Sequence, residues 1–128
     1  MYLTFTIPDP QNDYGCVSDV IRLSCVAGVI YVTNAKYGMY STPCTGCCPP
    51  NATDCTELVS ENRPEDWVSL KYQCDNKTSC EFQYRGSVID QCQEGYIADY
   101  MDIDYDCRTR SFFFFFKFIY SYIVQIDG

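Results

Sequence analysis

The chain has no histidine. That absence removes the commonest general base, the usual Ser-His and Cys-His pairings of nucleophilic catalysis, and most catalytic zinc sites. Positive charge is scarce too: 9 lysines and arginines stand against 17 acids, a net charge of −8. This balance argues against nucleic acid or an anionic membrane surface as partner, since both would be repelled. The first ten residues, Met1 to Pro10, lack the basic start and apolar run of a signal peptide. No apolar stretch reaches the roughly 20 residues that cross a bilayer, and the one that comes nearest is broken by Lys117.

What the chain has is cysteine, 10 in 128 residues. Such a density belongs to a disulfide-stapled domain made in an oxidising compartment. All ten lie between Cys16 and Cys107, which marks residues 16–107 as the domain. A domain of that size has a small core, and each bridge adds about 2–4 kcal/mol. Two sequons, Asn51-Ala-Thr53 and Asn76-Lys-Thr78, fit the secretory route and mark Asn51 and Asn76 as glycosylation candidates. A secreted domain without a leader of its own is read as a piece of a longer chain, extracellular either as a secreted protein or as part of an ectodomain.

Residues 1–15, with Pro8, Pro10 and Gln11-Asn-Asp13, are expected to be an irregular leader. Residues 108–128 are a low-complexity, phenylalanine-rich tail expected to lie outside the fold. Its basic residues come first, the wrong order for an anchor after an extracellular domain. Its residues use A/T-rich codons, as in translated non-coding sequence, and the run is an aggregation liability.

Within the domain, Ile21, Leu23 and Cys25 alternate as one face of a strand over 20–25, and Gly28 to Asn34 form a second. Residues 41–56, with Pro43, Gly46, Pro49, Pro50 and four cysteines, are expected to be loop. Pro64-Glu-Asp66 looks like a first helical turn, yet Val68, Leu70, Tyr72 and Cys74 alternate, and the expectation is a strand. Met101, Ile103, Tyr105 and Cys107 face the core in the last strand, with Asp102, Asp104 and Asp106 toward solvent. That acidic row is not expected to bind calcium, because alternate side chains of one strand diverge from any common centre. Cys44-Thr-Gly-Cys47 has zinc-knuckle spacing but no further close pair or histidine to complete four ligands, and no metal or cofactor is expected.

Leu23-Ser-Cys25, Gly28-Val-Ile30, Asn34-Ala-Lys-Tyr37-Gly38, Thr53-Asp-Cys55, Cys74 to Cys80, Val88-Ile-Asp90-Gln-Cys92 and Tyr100 to Cys107 occur in an order and spacing that resembles the sea-urchin-egg-lectin domain. This is the rhamnose- or galactose-binding lectin module. The resemblance implies an α+β fold, mainly antiparallel and sandwich-like, with a short helix and long ordered loops. It implies disulfides Cys16–Cys44, Cys25–Cys107, Cys55–Cys92 and Cys74–Cys80. Cys47 and Cys48 are surplus to that pattern, free to bridge each other, to swap with Cys44 or to pair with another chain.

The resemblance also implies a sugar site at Tyr37, Asp90, Asp99, Val17 and Met39. Tyr37 and Asp90 keep the family residue, whereas Val17 stands for an acid, Met39 for an arginine and Asp99 for a lysine. Asp99 is expected to repel Asp90 within one small pocket, so rhamnose should bind weakly and Asp99→Lys should restore part of the affinity. On the residues alone, Tyr37-Gly38 shaping a turn and Asp90 capping one is the competing, structural account.

The expected function is a carbohydrate-binding module without catalysis, its partners glycans or glycoproteins. The alternative is an adhesion or receptor ectodomain domain with a cell-surface protein partner. An enzyme would have to use a carboxylate pair such as Asp90 with Asp99, as glycoside hydrolases do, and is not expected.

Overall fold

The computed structural model describes residues 9–50 and 53–109. Six strands and two short helices follow in the order β1 (Asp9–Cys16), β2 (Val20–Ser24), β3 (Val29–Tyr40), β4 (Thr53–Leu58), α1 (Val59–Asn62), α2 (Pro64–Cys74), β5 (Ser79–Gln83) and β6 (Tyr100–Arg108). The larger sheet has the order β1-β6-β3-β4, antiparallel throughout, and β2 pairs with β5 in a second, two-stranded sheet. The fold is thus mainly antiparallel β with short helices, stapled by five disulfides. Among the described residues no helix is long and apolar enough to cross a membrane.

Ile21 and Leu23 of β2 are buried, as their alternation requires, and meet Ile30, Leu70, Ile89, Met101 and Ile103 in one core. The segment expected as a strand at 64–74 is instead helix α2. Pro64 opens it with a preset φ, and Glu65 and Asp66 face the positive end of the helix dipole. Of the four alternating residues, Leu70 and Cys74 are buried whereas Val68 and Tyr72 are 65% and 83% exposed. Leu70 and Cys74 are four apart, which is one helical face. The same four residues satisfied a period of two by accident.

The irregular leader expected over 1–15 is, from Asp9 onward, strand β1; residues 1–8 lie outside the described residues. β1 carries little apolar signal because β6 supplies its pairing, from Asp9 opposite Cys107 to Cys16 opposite Tyr100. Pro10 is tolerated because β1 is an edge strand. The loop expected over 41–56 ends sooner, since β4 begins at Thr53. Arg108 belongs to β6 rather than to the tail, with its guanidinium 3.7 Å from the Tyr31 ring centroid; residues 110–128 lie outside the described residues.

β6 sits between β1 and β3, and Met101, Ile103 and Tyr105 are buried as expected. Asp102, expected in solvent, is only 6% exposed. Asn12 of β1 covers it, its Nδ2 donating to Asp102 Oδ1 at 2.6 Å and to Asp104 Oδ1 at 2.7 Å. Burial pushes the Asp102 carboxyl upward, and the Asn12 hydrogen bond partly offsets that.

Three disulfides match the pairs the resemblance implied: Cys25–Cys107, Cys55–Cys92 and Cys74–Cys80. The fourth does not. Cys16 bonds Cys47 across a Cα separation of 5.7 Å, and Cys44 closes on Cys48. Gly46, at φ +80°, turns the chain between Cys44 and Cys47 in a conformation that favours glycine. Cys47 therefore takes the place of Cys44 opposite Cys16, and the two surplus cysteines are absorbed.

Candidate functional site

Val17, Met39 and Asp99 come together in one open groove of about 780 Å³. Val17 follows β1, Met39 lies near the end of β3, and Asp99 immediately precedes β6. Asp99 is the fixed point. Its backbone N–H donates to Gly38 O at 2.8 Å, and its Oδ2 accepts the Tyr40 N–H at 2.9 Å and the Tyr96 hydroxyl at 2.8 Å. One carboxylate oxygen thereby joins the end of β3 to the loop that precedes β6. The Tyr40 hydroxyl donates to Cys48 O, which ties the groove to the disulfide-bonded loop. The hydrogen bond to Asp99, helped by burial, raises the Tyr96 phenol above its ordinary range.

The remaining walls combine exposed Asp54 and Gln93 with the apolar side chains of Val17 and Ile97, 44% and 56% exposed. Among the described residues, none of those lining it is lysine, arginine or histidine. Asp99 Oδ1 has no donor among the described residues, and it and Asp54 accept but cannot donate when ionised. The groove thus presents hydrogen-bond acceptors, an amide and tyrosine hydroxyls beside apolar surface.

The other two expected positions lie elsewhere. Tyr37 is inside β3, not in a turn, and is 1% exposed. Its hydroxyl donates to Asp66 Oδ2 at 2.9 Å, and burial together with that bond pushes the phenol far above its ordinary range. The ring packs on Tyr84 at 5.6 Å between centroids, and burial pushes the Tyr84 phenol up to about 12. Tyr37 borders a second cavity, of about 480 Å³, between α2 and β5.

Asp90 is exposed and caps a turn, its Oδ1 accepting the Gly95 N–H at 2.8 Å. It is not among the residues that line the groove. Asp90 and Asp99, expected to share one small pocket, therefore do not both line this groove. Asp99→Lys also loses its rationale, because it would leave the Tyr40 N–H without its acceptor. For Asp90 the turn-capping account is the one the geometry supports.

Tyr40, Tyr96, Asp54 and Gln93 escaped the sequence reading. The available signal was proximity in sequence: Tyr40 directly follows Met39, and Tyr96 stands three residues before Asp99. Replacing Asp99 by alanine is expected to cost about 1–3 kcal/mol of stability by orphaning two donors. It should also bring the Tyr96 phenol back down toward the ordinary value. Thermal melts and an NMR titration of the tyrosine ring carbons check both; an unmoved Tyr96 titration would contradict the contact.

Among the described residues, one acid and cysteine group is close enough to hold a metal: Cys16, Asp19 and Cys47, with ligand atoms within 4.8 Å. Its two sulfurs are joined to each other and offer no thiolate. Asn76 is exposed, at φ +66° in the turn after α2, inside the Cys74–Cys80 ring. Asn51 lies outside the described residues. No model of a known protein family matches this chain, and a search of curated proteins finds no match either.

Proposed function

We propose that this chain is a non-catalytic carbohydrate-binding module working outside the cell, of the rhamnose- or galactose-binding lectin type its motifs resemble. The observation that carries the proposal is the groove around Asp99. A small sugar offers hydroxyls on its rim and C–H groups on its faces. The groove offers acceptors and tyrosine hydroxyls for the first, and exposed Val17 and Ile97 for the second. Disulfide Cys16–Cys47 and the bonds to Asp99 hold these groups in place before a ligand arrives, which limits the entropy lost on binding.

Asp90, which hydrolysis would have needed beside Asp99, is not among the described residues that line the groove. Asp99 is further committed to two internal donors. Both facts support binding without catalysis. The five disulfides and the exposed sequon at Asn76 support an extracellular setting.

A glycan array probed with the chain, competed by free L-rhamnose or galactose, tests this reading. Competable binding that is weakened by Gln93→Ala is the expected result. A silent array would turn attention to the second reading, a protein-binding ectodomain. One observation favours that reading: Val17, Val88 and Ile97 are each more than two-fifths exposed, and Val88 pairs with Ile97.

A further inference from the structure

The groove and the second cavity are neighbours. Gly86 borders the second cavity, while Val17 and Ile97 border the groove. A Cβ placed on Gly86 would lie 3.3 Å from Ile97 Cγ2 and 3.9 Å from Val17 Cγ1. A ridge formed by these three residues therefore lies between the two spaces. Gly86 adds no side chain to that ridge, and its φ of +98° is a conformation that favours glycine.

The second cavity has a different chemistry from the first. Its carboxylates already face guanidinium groups: Asp66 lies 3.6 Å from Arg63, and Glu81 lies 3.1 Å from Arg22. Arg63 also holds Glu65, which lies outside the lining. Arg85 is different. Among the described residues it is the one arginine with no carboxylate partner, in a chain where acids outnumber bases 17 to 9. It is exposed on a rigid stretch, because Tyr84 is buried and its backbone exchanges hydrogen bonds with Ser18 and Asp19 at 2.7 and 3.1 Å. Gln73 and Gln83 add amides beside it, and Val20 and Phe82 add apolar surface.

We propose that the ligand is an acidic oligosaccharide that crosses this ridge, with a neutral sugar in the groove and a carboxylated sugar in the second cavity, its carboxylate on Arg85. This extension rests on the carbohydrate-binding reading above. A guanidinium pairs with a carboxylate through two parallel hydrogen bonds, and a single unpaired arginine balances a single negative charge. A dianionic phosphate would meet Asp66 and Glu81 with charge left over. The amides suit the hydroxyls of the same sugar ring.

The test is calorimetric titration of the chain with aldobiouronic acids, a hexuronic acid linked to rhamnose or to galactose, and with the same disaccharides reduced at the carboxyl. The acidic form is expected to bind about tenfold or more tighter than its reduced counterpart, and Arg85→Gln is expected to abolish that ratio. Added salt should narrow the ratio for the native chain. Equal affinities of the two forms, or a ratio that survives Arg85→Gln, would overturn the extension while leaving the groove as a sugar site. Binding by none of the four disaccharides, together with a silent glycan array, would overturn both.

Discussion

A chain in which Cys25 and Cys107 are both serine is expected to lose about 4.5 kcal/mol, close to the whole stability of a small domain. The bridge spans 82 residues of sequence, so its loss frees most of the domain's chain in the unfolded state. It also joins the segment after β2 to β6, at a point where Cys107 lies opposite Ile30 of β3. The cut therefore removes the disulfide that joins the two sheets. Cys74–Cys80 encloses a separation of only 6 residues, and its double serine variant should lose about 2 kcal/mol by the same entropy relation. Thermal melts without reductant compare the two. The first variant should melt tens of degrees lower or not fold at all. Equal losses would mean that the bridges act through native strain or local packing, not through loop closure.

Those two bridges were legible because the motif order placed their cysteines in register. Cys16 was not, because three cysteines crowd residues 44–48, and spacing alone does not say which one the Gly46 turn brings round to face it. Elements with one buried face could be read directly. Ile21 and Leu23 in β2, and Met101, Ile103 and Tyr105 in β6, went where period two sends them. Others could not, α2 and β1 among them. α2 hides because Leu70 and Cys74 satisfy both a strand and a helix pattern, and only Pro64 with its two acids spoke for the helix. β1 hides because its pairing comes from the partner strand, so polar residues such as Gln11, Asn12 and Asp13 serve as well as apolar ones.

The site was legible by halves for the same reason. Val17, Met39 and Asp99 are distant in sequence, and motif register alone united them. Tyr37 and Asp90 are the residue types the resemblance implied at their positions, yet one is spent on packing against Tyr84 and a bond to Asp66, the other on a turn. Identity of a residue type records that a position mattered, not whether it mattered for the fold or for a ligand. The groove's shape depends on something less visible still, the size of a single residue in β3.

Gly38→Ala is expected to destabilise the domain by about 3 kcal/mol or more, beyond the middle of the overpacking range. Gly38 lies opposite Tyr100 in the β3–β6 register, and the Tyr100 ring covers it. An added Cβ would stand 2.5 Å from Cε1 of that ring and closer still to Cζ and the hydroxyl oxygen. The ring has nowhere to go. Tyr100 is 1% exposed, packs on Tyr40 at 5.2 Å between centroids, and shares a hydrogen bond with Thr53 at the start of β4. Displacing it pushes on Tyr40, whose N–H is bound to Asp99, so that wall of the groove should loosen at temperatures where the domain still folds. Gly46→Ala is the control, since Gly46 has a positive φ of +80° with nothing within 4 Å of an added Cβ. It should cost only about 1–2 kcal/mol, the penalty of the left-handed conformation. Adding Tyr100→Leu to Gly38→Ala should recover part of the loss, because the smaller side chain leaves room for the methyl group, and the two effects will fall short of additivity. Denaturant unfolding of Gly38→Ala, Gly46→Ala, Tyr100→Leu and the double variant decides the matter. If Gly38→Ala costs no more than Gly46→Ala, Tyr100 does not lie over Gly38, and the wall of the groove that Tyr40 and Asp99 build beside it is wrongly placed.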